Sequence, residues 1–146
     1  MNAKFMEAAL EQAKKAETMG EVPIGAVLVK NGEIIAAAHN LCESKKDPPA
    51  HAEIVCIKKA AELLGDFRLT GTELYVTLEP CPMCAGAIIN ARIGEIIFGA
   101  YDPQKGALGS VTNLYSFNFP NIPTVYGGIR EKETALILQE FFKKRR

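Results

Sequence analysis

Residues 72–91 read TELYVTLEPCPMCAGAIINA. Thr72 to Leu78 has the β-branched and aromatic content of a strand. Glu79-Pro80 breaks it, and Pro82 is placed where a proline opens a helix, which runs on to about Ala91. The unit is therefore strand, tight turn, helix, with Cys81 and Cys84 at the helix start.

Outward from this unit the same alternation recurs. Met6, Ala9, Leu10, Ala13 and Ala16 recur at helical spacing, and Gly20 ends that helix. Ile24 to Lys30 and Glu33 to Ala38 read as two strands joined by Asn31-Gly32, a strong hairpin signal. Ser44 to Pro49 reads as a polar loop, and a helix is expected from about Pro49 to Leu64. Downstream, Glu95 to Phe98 and Thr124 to Tyr126 read as short strands. Tyr101 to Phe119 reads as irregular with one short helix, and Ile129 to about Lys144 as a closing helix. Strands alternating with helices imply a sheet covered on both faces, and the opening hairpin makes that sheet mixed. The expected fold is an α/β three-layer α/β/α sandwich on a mixed five-stranded sheet.

The chain has 146 residues, is 48% hydrophobic and 23% charged, and has zero formal net charge. That length fits one domain, here residues 1–146, with a core that needs no disulfide or structural metal. Charge is uneven: Lys143, Lys144, Arg145 and Arg146 close the chain, and the remainder carries 13 basic against 17 acidic residues. Such an end can touch phosphates, but by itself it reads as a solvated helix end whose cations suit the C-terminal dipole. Lys4 to Glu17 is charged throughout, so no signal peptide is expected, and no run is apolar enough for a bilayer. The expected compartment is the cytoplasm, where four cysteines are not a disulfide framework.

Cys81 and Cys84 are spaced to share one helix face, at an N-terminus whose partial positive charge favours thiolates. His51-Ala52-Glu53 stands at the start of another helix and supplies a histidine. Three protein ligands with an open fourth position are the pattern of a catalytic zinc, whereas a structural zinc is closed by four. Glu53, two residues past His51, reaches such a metal only if the ion sits off the helix end, where a carboxylate does general acid–base work. Taken singly, each group has a plainer reading. The cysteines could be a redox pair, the histidine a satisfied polar residue, the glutamate a dipole partner. Their joint occurrence favours one catalytic Zn2+ per chain. Cys56 reads as a small core residue and Cys42 as an exposed loop thiol. His39 as a fourth ligand would close the site and leave Glu53 without a purpose.

His-x-Glu followed by Pro-Cys-x-x-Cys is the signature of zinc nucleobase deaminases. Over nearly its whole length the chain resembles the bacterial tRNA-specific adenosine deaminases. The stretches that carry this are Glu21 to Val29, Asp47-Pro48 leading into His51 to Ile54, Leu74 to Ile93, Phe98-Gly99-Ala100, Asp102, Gly106 to Ser110, and Phe141-Phe142 with the basic tail. The resemblance implies a cytidine deaminase-like sandwich and a homodimer that converts the wobble adenosine of a tRNA anticodon stem-loop to inosine. It implies metal ligands His51, Cys81 and Cys84, and a catalytic Glu53. It also implies substrate contacts at Asn40, Ala52, Asp102, Phe142 and Arg146. Pro49, Tyr101 and Asn121-Ile122 depart from the family pattern without touching the metal motif. A deaminase of a free base or nucleoside, such as guanine or cytosine, shares that motif and is the alternative.

Overall fold

The computed structural model describes residues 1–145. Its elements are α1 (Phe5–Thr18), β1 (Gly25–Lys30), β2 (Glu33–His39), α2 (Cys42–Lys45), α3 (Ala52–Leu64), β3 (Thr72–Leu78), α4 (Pro82–Asn90), β4 (Glu95–Ala100), β5 (Thr124–Tyr126) and α5 (Glu131–Lys144). The sheet order is β2-β1-β3-β4-β5. The hairpin pairs β1 with β2 antiparallel, β1 also runs antiparallel to β3, and β3, β4 and β5 are mutually parallel. Asn31 and Gly32 both have positive φ, 52° and 77°, as a type I′ hairpin requires.

Alternation along the strands builds two cores. Ala26 and Leu28 of β1, Leu74 and Val76 of β3, and Ile96 and Phe98 of β4 face α3 and α4. Val27, Val29, Tyr75 and Ile97 point the other way, onto Met6 and Ala9 of α1. The five α1 residues predicted to face inward are all buried. With α5 packed on β4 and β3 beside α1, the sheet is covered on both faces, and the fold is the expected mixed α/β sandwich.

At Gly25 the sheet packs directly against the backbone of α1. A Cβ there would lie 2.0 Å from the Ala9 carbonyl oxygen and 2.5 Å from the Ala13 nitrogen. Both are helix backbone, which cannot rotate away. Gly25→Ala should therefore cost about 3 kcal/mol, the upper end of what overpacking typically costs, read as a lower urea midpoint at unchanged m-value.

Four elements differ from the sequence reading by more than one residue. α3 starts at Ala52 rather than Pro49. Pro48 and Pro49 belong to a turn in which Ala50 N–H bonds Asp47 O and His51 N–H bonds Pro49 O, and His51 enters extended at φ −67°, ψ 154°. Within the expected loop, Cys42–Lys45 forms the short helix α2, because the distant Glu21 carboxylate accepts the Glu43 and Ser44 N–H groups at its start. β4 extends to Ala100 because Ala100 pairs with Leu78. α5 begins two residues late because Ile129 donates its N–H to Phe98 O and Arg130 takes a left-handed conformation.

Candidate active site

β3 and β4 end side by side, and their carboxyl ends carry the chain into Glu79-Pro80-Cys81 and Tyr101-Asp102. The antiparallel β1 starts, and β2 finishes, at the same end of the sheet, bringing Ile24 and Asn40 there. A cavity of about 500 Å³ lies at this end. Open α/β sheets place ligands outside the carboxyl ends of their parallel strands in this way.

His51 and Cys81 hold equivalent places, each the extended residue from which α3 or α4 starts. Cys84 follows one turn into α4 and is buried. Both helix N-termini thus converge on one point, and the ligand atoms of His51, Cys81 and Cys84 lie within 4.8 Å of one another. Among the described residues this is the one group of His, Cys, Asp and Glu side chains so placed. The His51 Nδ1 atom is 3.6 Å from Cys81 Sγ and 3.5 Å from Cys84 Sγ. Zinc–nitrogen bonds near 2.0–2.1 Å and zinc–sulfur bonds near 2.3 Å, at tetrahedral angles, demand edges of about 3.6 Å. Both nitrogen–sulfur edges therefore match those a zinc ion requires. His39 is not in the group; its Nδ1 lies 2.8 Å from the Asn40 carbonyl oxygen.

Proton affinities within the group follow from contact. A hydrogen bond from Cys84, with a second contribution from His51, outweighs burial and brings the Cys81 thiol down to about 4. The same shared bond, together with burial, pushes Cys84 up. The Cys81 sulfur beside the His51 ring raises the imidazole above its ordinary value. Burial takes the Glu53 carboxyl, 4% exposed, up to about 7. It also sets Cys56 apart: lifted by burial to about 12, with its Sγ toward Ala36 O, Cys56 is an inert core thiol, as expected. Cys42 is not the exposed loop thiol expected of it. It opens α2 and stands half-buried on the cavity wall.

Of the substrate contacts implied by resemblance, Asn40, Asp102 and Phe142 line the cavity beside His51 and Glu53. Asn40 Oδ1 accepts the Ala52 N–H at 2.9 Å, so what Asn40 can offer a ligand is its amide NH2. Ala52 does not reach the cavity: its methyl is core and its N–H is taken by Asn40. Phe142 is 50% exposed, and Arg146 lies outside the described residues. Two buried carboxylates on the cavity wall were not legible beforehand. Glu21 is raised by burial, but bonds from Ser44 and from the Glu43 backbone hold it below the usual carboxylate range. Glu79 binds the 102–110 segment.

The profile of one protein family, described as MafB19-like deaminase, matches residues 1–146 in full. The chain belongs to the MafB19-like deaminase family. This deaminase is 50% identical over 143 residues to the tRNA-specific adenosine deaminase of Bacillus subtilis, an alignment covering 97% of this chain and 89% of that protein. A solved structure from a study of A-to-I editing by tRNA:A34 deaminases at the wobble position superposes with a TM-score of 0.86. It is 48% identical and covers 94% of this chain and 100% of that one. The guanine deaminase of Bacillus subtilis is more distant, with a TM-score of 0.66 at 33% identity, covering 82% of this deaminase and 88% of that chain.

Proposed function

We propose that residues 1–146 form one zinc-dependent domain that hydrolyses adenosine to inosine at the wobble position of a tRNA anticodon and releases ammonia. The observation that carries this reading is three ligand atoms spaced for zinc with a buried, non-ligand carboxylate beside them, opening into a 500 Å³ cavity. The likeness to tRNA-acting deaminases over nearly the full length of both chains supports the choice of substrate.

His51, Cys81 and Cys84 would hold the ion. When bound, zinc supplies Lewis acidity that brings the pKa of a water down to about 7. Glu53 takes a proton from the attacking water and hands it to the ring nitrogen beside the amino-bearing carbon as the water oxygen bonds to that carbon; it then takes the second proton from that oxygen and passes it to the amine as the carbon–nitrogen bond breaks. Its burial keeps that proton from leaking to solvent. Asn40 donates its amide NH2 to the unstacked base, and the Ala52 N–H holds that amide in place. Asp102 meets a neighbouring ribose, and Phe142 and Arg146 meet the anticodon arm. A loop adenosine suits such a pocket, because extracting it costs less unstacking than a duplex base would. Lys45, Lys46, Lys105 and the C-terminal basic residues are the candidates for neutralising the phosphates of that arm. As in the family it resembles, the acting unit is a homodimer in the cytoplasm.

The test is deamination of an anticodon stem-loop carrying a wobble adenosine, with zinc measured on the same sample. The expected result is one zinc per chain and conversion at that position alone. The affinity for the stem-loop should also fall as salt rises, by about 0.7 log unit per log unit of salt for each phosphate neutralised. Bound zinc without conversion would overturn the substrate assignment and favour a free base, which the likeness to guanine deaminase makes the next substrate class to assay.

A further inference from the structure

Asp102 to Lys105 line the cavity, and the stretch 102–110 to which they belong has almost no regular structure of its own. Its backbone is organised around one side chain. Glu79, 2% exposed, accepts the Asp102 N–H and the Ser110 hydroxyl on Oε1, and the Leu108 and Ser110 N–H groups on Oε2. The three amide bonds measure 3.0, 3.0 and 3.1 Å. Four donors on two oxygens suit a group that only accepts. Gly106 permits the wrapping: a Cβ there would lie 2.3 Å from Glu79 Cδ. The segment is also tied to the metal-binding turn, since the Ala107 N–H donates to Pro80 O at 2.9 Å.

Glu79 stands two residues before Cys81, so the wall hangs from the turn that presents the metal ligands. Its oxygens are filled by the loop, which leaves no free acceptor for a ligand. We propose that Glu79 is a positioning residue that fixes the Asp102–Lys105 wall over the metal group and thereby sets how substrate is gripped, leaving metal binding and proton transfer to other residues. The proposal rests on the deaminase reading of the cavity.

Two substitutions disturb the same contact from opposite sides. Glu79→Gln keeps the size but turns one acceptor into an NH2 facing backbone N–H groups. Gly106→Ala pushes a methyl onto the carboxylate. In the zinc-loaded full chain, each should raise KM for the stem-loop roughly tenfold or more, the equivalent of one lost charge-assisted hydrogen bond, with kcat little changed. Zinc should stay at one per chain, and amide hydrogen exchange should accelerate in 102–110 but not in the sheet. Should Glu79→Gln fail to fold, Ser110→Ala, which removes only the hydroxyl donor from an exposed residue, should shift KM in the same direction. A fall in kcat at constant KM, lost zinc, or unchanged exchange in 102–110 would overturn the role. Exchange and zinc content need no substrate. If the wild type left the stem-loop untouched, the substrate assignment would fail while exchange still judged Glu79.

Discussion

Glu53→Gln should lower turnover by about 10²–10⁴-fold, the usual worth of a positioned proton-transfer group, while one zinc per chain remains bound. The carboxylate is not among the three ligands, so its loss leaves the metal-binding atoms untouched. The same substitution should stabilise the metal-free protein. Burial raises the folded-state pKa of Glu53 to about 7 from an ordinary value of 4.5. Below pH 4.5 the carboxyl is protonated whether the chain is folded or not, and burial carries no ionisation penalty. As pH climbs toward 7 the unfolded chain ionises while the folded one holds its proton, and stability falls. Above pH 7 the loss levels off at about 3 kcal/mol. Glutamine, close in shape and uncharged, escapes most of this. Urea unfolding of the metal-free proteins should therefore show Glu53→Gln gaining on the wild type as pH rises from 4.5 to 7, with no difference in acid. Retained turnover would remove Glu53 from the mechanism. A pH-independent stability difference would mean that the carboxyl is solvated in the folded chain.

Glu53 was legible through its place in the motif, two residues past His51, and not through its burial, which only the structure shows. A carboxylate in the first turn of a helix that starts with histidine has no stabilising need to be buried. The strands, the hairpin and the two chemistry-bearing helix starts were readable because they depend on local pattern: period-two alternation, Asn31-Gly32, Pro82 after Cys81. What was not readable depends on contacts between distant residues. α2 exists because Glu21 bonds Glu43 and Ser44 across 22 and 23 residues. The 102–110 wall exists because Glu79 reaches as far as 31 residues along the chain. A glutamate next to a proline gives no hint that four donors will converge on it. The one signal, Gly106, has meaning only once Glu79 is known to lie beneath it. Ala52 shows the reverse limit: an implied substrate contact whose N–H the fold has already given to Asn40.

Chelation should abolish turnover and leave the chain folded. The ligands come from the starts of two helices, and both helices reach the sheet through apolar side chains that do not involve the metal: Cys56 and Ala60 from α3, Ala85 and Ile88 from α4. Circular dichroism in the far ultraviolet should be unchanged by metal removal, in contrast to a structural site, whose loss unfolds its domain. The thermal midpoint should nonetheless drop. With free zinc at a thousand times its dissociation constant, binding contributes about 4 kcal/mol, which for a chain of this size is roughly 10–15 °C. Zinc uptake should also release protons. Cys81, held near 4, is already a thiolate at neutral pH, whereas the raised Cys84 thiol must give up its proton before it binds, and the upward shift of His51 adds to the competition between proton and metal. Zinc affinity should therefore weaken as pH falls, and titrating the metal-free protein with zinc in weak buffer should acidify the solution. Cys84→Ala removes a buried ligand without adding a charge, and it should reproduce the inactive, folded state and resist rescue by added zinc. Unfolding on chelation would show that the metal holds the domain together. Activity surviving chelation would show that the three-residue group serves some other purpose.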